Sequence, residues 1–151
     1  MNWALDITTK NRIILERFLE ELSLEYLNTI PKGFNNNIIW NIAHTIVTQQ
    51  LLVYALSGLE PMVPKVMIDK YRKGTKPEGF VDQEEVDIIK GFLFTPIEQT
   101  RKDLKNDKFQ EYQTYTVTTK STLTNAKEAI EFNNFHEGLH LGYILALKRA
   151  I

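Results

Sequence analysis

The chain contains no cysteine among its 151 residues. This absence excludes disulfide bonds, zinc sites with cysteine ligands and catalysis by a cysteine nucleophile. It leaves the redox compartment open, so we take the cytoplasm as the default location.

The sequence also lacks a strong charge of one sign and a long apolar run. Lys and Arg number 18 against 19 Asp and Glu, which gives a net charge of −1. No basic patch therefore supports a nucleic-acid partner. Charges scattered through residues 1–21 fit neither a signal peptide nor a membrane span, and no later stretch is apolar enough to cross a bilayer. We expect neither nucleic acid nor membrane as a partner.

Apolar periodicity and capping residues predict an all-α protein, which we take as a single domain over residues 1–151. The first helix is expected to place its charged residues, including Arg12, on its solvent side. Pro96 is expected to kink the third helix rather than end it, although a new helix starting near Thr95 is the alternative. The predicted helices cover about residues 4–22, 36–57, 82–105 and 125–150.

The second predicted helix is apolar on nearly every side. This pattern indicates burial on several sides, as at the centre of a bundle or at a subunit interface, and we expect a homodimer. Two long connections flank the third helix. Residues 60–81 contain three prolines and a local excess of basic residues, and either cross over through solvent or clamp a substrate. Residues 108–123 include a segment predicted to be extended.

All three histidines of the chain lie on inward faces of predicted helices. His136 and His140 are four residues apart and share one helical face, so they can share one metal ion. His44 lies on an inward stripe of the second helix. Burying three imidazoles without partners would cost about 1–3 kcal/mol each, which a shared cation avoids. We therefore predict a three-histidine metal site, with separately hydrogen-bonded core histidines as the alternative.

The segment His136-Glu137-Gly138-Leu139-His140 also matches the zinc-protease pattern, with Glu137 as general base. Residues 141–151 supply no further metal ligand, and a β-rich substrate-binding half is not evident, so the protease interpretation is not favoured. Two hypotheses remain for Glu137. It either acts on a metal-bound water or is an exposed helix residue.

Two motifs resemble those of the DinB-like superfamily: Trp40-Asn41-Ile42-Ala43-His44 and the segment from His136 to Tyr143. Residues 30–35, which precede the second helix, also resemble that family. The resemblance implies a four-helix bundle with long crossover connections. It further implies one divalent metal held by His44, His136 and His140, and a homodimer.

For function, the resemblance implies an enzyme that acts on a small-molecule substrate. The leading hypothesis is a thiol S-transferase that uses a low-molecular-weight thiol. Three neutral ligands leave an open position that can lower the pKa of a bound water to about 7 or hold a thiolate. Zinc, nickel, iron and manganese all accept imidazole ligands, so the sequence does not identify the metal. The alternatives are a metal-dependent hydrolase with Glu137 as base, and a non-catalytic bundle that binds a metal or a small molecule.

Overall fold

The computed structural model describes residues 1–151 and is mainly helical, as predicted. Seven α-helices, one 3-10 turn and one small hairpin follow one another along the chain. Their bounds are α1 (Asn2–Glu21), α2 (Leu24–Asn28), α3 (Ile38–Val53), the 3-10 turn (Ala55–Ser57), α4 (Lys65–Tyr71), α5 (Gln83–Gly91), α6 (Thr95–Lys105), β1 (Tyr115–Thr116), β2 (Thr122–Leu123) and α7 (Ala126–Ala150). None of the helices combines the length and the apolar character that crossing a bilayer requires.

Side-chain caps mark the starts of α3, α5 and α7. The side-chain oxygens of Asn37, Asp82 and Asn125 each accept a hydrogen bond from the backbone N–H three residues later, at the starts of α3, α5 and α7. Each cap satisfies one of the N–H groups that the first turn of a helix leaves without a partner. The helix starts predicted near residues 82 and 125 are confirmed.

The third predicted helix, over residues 82–105, is two separate helices in the structure. A turn over residues 92–94 separates α5 from α6, and Pro96 is the second residue of α6. Proline has no N–H to donate to the carbonyl four residues earlier, and its ring clashes with that carbonyl in a continuous helix. The kinked continuous helix was therefore wrong, and the alternative of a restart near Thr95 was correct. The predicted end at Lys105 is confirmed.

Helix α3 runs through the centre of the fold. Nearly all of its residues are buried by packing against α7 on one side and α2 and α4 on others. Its burial on several sides is thus confirmed within one chain. The apolar surface that suggested a subunit interface is already covered, so the homodimer stays a prediction resting on the resemblance.

The two long connections carry structure of their own. Residues 60–81 contain α4, which buries Met67 and Tyr71 in the core, so the segment packs on the bundle rather than only crossing through solvent. Residues 108–123 contain the antiparallel pair β1–β2, in which Tyr115 faces Leu123 and Thr116 faces Thr122. The predicted extended segment is confirmed only for these short strands.

The apolar core has two parts with polar residues between them. One cluster includes Leu15 of α1, Val47 of α3 and Ile144 of α7, and the other includes Leu5, Val53 and Ile130 of the same helices. Along α1 and α7 the buried polar residues Arg12, Asn133 and Glu137 fall between the two sets, whereas His44 and Thr45 of α3 lie among residues of the first set. Packing of the three helices brings these buried polar residues into contact.

Candidate metal centre

Packing of α3 on α7 brings the three histidines together. The ring centroids of His136 and His140 lie 4.5 Å apart, and those of His44 lie 5.2 Å from His136 and 4.7 Å from His140. One nitrogen from each ring lies within 4.8 Å of the other two. The clustering of His44 with the pair on α7 is therefore confirmed.

His44 is oriented by the connection that follows α3. Its Nδ1 lies 2.7 Å from the carbonyl oxygen of Tyr71, which can only accept, so Nδ1 carries the proton. The Trp40 ring stacks on the imidazole with centroids 4.6 Å apart and planes 11° from parallel. Nε2 is left with its lone pair, 3.3 Å from the hydroxyl oxygen of Thr48.

His140 is oriented by α3. Its Nδ1 lies 2.8 Å from the side-chain oxygen of Asn41. The Asn41 amide nitrogen donates to the side chain of Asn36 at 3.0 Å and to the carbonyl of Asn37 at 2.7 Å, which fixes the amide oxygen toward the imidazole. Nδ1 of His140 is consequently the donor and Nε2 keeps its lone pair. Sequence spacing placed Asn41 one turn from His44, yet the imidazole it contacts belongs to α7.

His136 differs from the other two. Its Nδ1 is buried and has no hydrogen-bond partner among protein groups. The same holds for Nη1 of Arg12, Oδ1 of Asn133 and Oε2 of Glu137. These atoms are one obligate donor, two acceptors and one imidazole nitrogen that can take either role. His136 is thus the one imidazole of the cluster whose tautomer no protein contact fixes.

The surroundings hold all three imidazoles neutral. Burial, followed by the neighbouring charges of His140, His44 and Arg12, lowers the pKa of His136 to about 2. Burial and then His44 lower the pKa of His140 to about 4. Burial also lowers the pKa of His44, against the opposing effect of its hydrogen bond to Tyr71. Neutral imidazole is the form that binds metals.

The donor set fits a divalent metal. Three imidazole nitrogens around a tetrahedral zinc, each about 2.0–2.1 Å from the ion, lie on the order of 3.4 Å from one another. The nitrogens of the three rings lie within 4.8 Å of one another here. Two of the three rings already offer Nε2 while Nδ1 is anchored, the arrangement that outer partners usually impose on metal-binding histidines.

Glu137 lies on another face of α7. Its Oε1 accepts from Nη2 of Arg12 at 2.6 Å, from Nε of Arg12 at 3.1 Å and from the Asn133 amide at 2.8 Å. The Arg12 and Glu137 side chains are 1% and 0% exposed. The hypothesis of an exposed Glu137 was therefore wrong, and so was the placement of Arg12 in solvent. Arg12 also donates to the Thr45 carbonyl at 3.2 Å, so it joins α1 to both α3 and α7.

A cavity of about 510 Å³ opens beside the histidines. All three rings line it, Glu137 does not, and no carboxylate forms part of its wall. The other lining residues come from the end of α3, the 3-10 turn, the connection after α4, the hairpin and α7. They are Thr48, Leu51, Leu52, Ala55, Leu56, Lys73, Tyr115, Val117, Thr118, Thr119, Phe132, Phe135 and Leu139.

Comparison with known proteins agrees with the resemblance. The DinB superfamily matches the sequence over residues 7–144. A similar solved structure is that of a conserved protein from Enterococcus faecalis, with a TM-score of 0.68, 14% identity, and coverage of 99% of this chain and 95% of that one. At this identity the likeness concerns the fold alone. No curated protein matches the sequence.

Proposed function

We propose that this chain, which belongs to the DinB superfamily, binds one divalent metal ion through His44, His136 and His140 and presents it to a small-molecule substrate. The observation that carries the proposal is the position of the three neutral imidazoles on the wall of an open cavity. A structural metal site is normally closed by four protein ligands, whereas a catalytic site keeps a position free. Here three histidines face the cavity without a fourth ligating side chain.

The reaction class that we propose is thiol S-transfer with a low-molecular-weight thiol, which rests on the family resemblance. A divalent metal in such a site, when bound, supplies Lewis acidity at its open position. Since the chain has no cysteine, the thiol must enter the cavity as a cosubstrate. The apolar part of the wall, which includes Leu51, Phe132 and Leu139, suits an electrophile with an apolar body.

The hydrolase hypothesis requires Glu137 to reach a water molecule in the cavity. Its carboxylate is instead held by Arg12 and Asn133 outside the cavity wall. These contacts favour a structural role for Glu137, while its role as a base stays a prediction without a supporting contact.

The proposal is tested by assaying the metal-loaded protein with a panel of low-molecular-weight thiols and a chromogenic aryl halide. We expect loss of the thiol and release of halide only when both metal and thiol are present, and no turnover in the His140→Ala variant. Turnover that needs metal but no thiol would favour a hydrolase. A metal-loaded protein that turns over neither would favour the non-catalytic bundle.

A homodimer completes the proposal and rests on the resemblance, and the cytoplasm is kept as the default location. We expect sedimentation at micromolar concentration to give the mass of two chains. A monomer without reversible association would contradict this part alone, since the three histidines come from a single chain.

A further inference from the structure

The cavity wall carries a single fixed charge. Among its lining residues Lys73 is the only lysine, and the wall includes no arginine, aspartate or glutamate. A ligand in the cavity thus meets one ammonium group, three imidazoles and an otherwise uncharged surface.

Lys73 is close along the chain to a residue that contacts the histidine cluster. It follows Tyr71, whose carbonyl accepts from His44 at 2.7 Å, by two residues. Two residues span at most about 7 Å, so the backbone at Lys73 stays within that reach of Tyr71. A molecule of modest size can therefore contact the ammonium group and the histidine cluster together.

The ammonium group of Lys73 uses only one of its hydrogen-bond donors within the protein. It donates to the hydroxyl of Thr118 at 3.1 Å, a contact that joins the connection after α4 to the hairpin. An ammonium carries three donors, so two remain. Lys73 forms no ion pair with any carboxylate of the chain, whereas Lys70 in the same segment is paired with Glu85 at 2.6 Å.

We propose that Lys73 makes the cavity selective for a small amphipathic ligand with an apolar body and one anionic oxygen group, such as a carboxylate or a sulfonate. The apolar body packs against Leu51, Phe132 and Leu139, and the anionic group takes the free donors of Lys73. The reactive end of the ligand then lies toward the histidines. This inference rests on the proposed function in that it takes the cavity as the substrate site.

The test compares two fluorescent probes that share an aromatic frame. Anilinonaphthalene sulfonate carries an anionic group, and phenylnaphthylamine does not. We expect the Lys73→Met variant to bind the sulfonate probe about two- to fivefold more weakly, as loss of an ion pair at an exposed lysine implies. Its affinity for the neutral probe should not change. Lys73→Arg should keep most of the preference, and Lys76→Met, whose residue does not line the cavity, should behave as the wild type.

The proposal is overturned if Lys73→Met binds the sulfonate probe as well as the wild type, or if both probes weaken equally. Because the titration uses protein treated with a chelator, it does not depend on metal chemistry. Metal uptake by Lys73→Met, measured in parallel, should equal that of the wild type. Failure of the wild type to take up metal would contradict the proposed function. The role of Lys73 in binding an anionic group would still be decided by the probe titration.

Discussion

Two neighbouring residues of α7, His136 and Glu137, belong to opposite kinds of polar site. The histidine face, formed by His44, His136 and His140, is neutral and borders an open cavity. The ion-pair face, formed by Arg12, Asn133 and Glu137, is charged and fully enclosed between α1, α3 and α7. In the enclosed pair each charge has its counterion in the protein. In the histidine face the Nε2 lone pairs of His44 and His140 are available, so the capacity to bind a metal lies there.

The largest effect should follow from breaking the ion-pair face. Glu137→Gln removes the counterion of a buried guanidinium, and loss of one partner of a buried ion pair typically costs about 3–5 kcal/mol. We expect a fall of that size in the free energy of unfolding, measured by urea denaturation. Glu131→Gln, at an exposed position of the same helix, should change it by no more than about 0.5 kcal/mol.

The same variant separates the two hypotheses for Glu137. A Glu137→Gln protein of normal stability that holds metal and has lost turnover would contradict the structural role and favour the general base. In the structural case the double variant Arg12→Met with Glu137→Met should recover most of the lost stability, because an apolar replacement of a buried pair is often neutral or stabilising.

A smaller effect is expected on the histidine face from Asn41→Ala. This change removes the acceptor that holds the Nδ1 proton of His140. Loss of such an outer partner typically lowers metal affinity about 10–100-fold. The metal affinity is measured by competition with a chromogenic chelator. The matched control is Asn134→Ala, which loses hydrogen bonds to Thr8 and to the Ala4 carbonyl but touches no histidine. Equal losses of affinity in the two variants would contradict the assignment.

The smallest effect, of opposite sign, is expected from Thr48→Val. The Thr48 hydroxyl lies 3.3 Å from Nε2 of His44, the lone pair that a metal would use. Because the hydroxyl competes for that lone pair, its removal should tighten metal binding, by up to about fivefold for a net hydrogen bond of about 1 kcal/mol. The same chelator competition reports it. Weaker binding in Thr48→Val would mean that His44 does not use Nε2.

Sequence reasoning reached the histidine face more easily than the ion-pair face. The spacing of His136 and His140 on one helix is a local property. The apolar stripe that contains His44 indicated that this side chain points into the core. Arg12 was placed in solvent because a charged residue on an amphipathic helix is normally exposed. Its burial depends on Glu137, which is distant along the chain, so no local pattern could indicate it.

The partners that orient the imidazoles were predictable only in part. Asn41 stood out by its spacing, although the ring it contacts lies on another helix. The partner of His44 is the backbone carbonyl of Tyr71, and every residue has such a group, so the sequence gives no signal for it. Lys73 was noted only as part of a basic segment. Its place on the cavity wall follows from how that segment packs on α3.

The most direct test of the account is the metal content of the purified protein beside that of His44→Ala. Both are equilibrated with zinc, nickel, iron or manganese, freed of excess ion and analysed for metal per chain. We predict one equivalent in the wild type and almost none in His44→Ala, because two imidazoles on α7 do not make a complete site. A wild type without metal under these conditions, or a His44→Ala protein that binds as well as the wild type, would contradict the three-histidine centre.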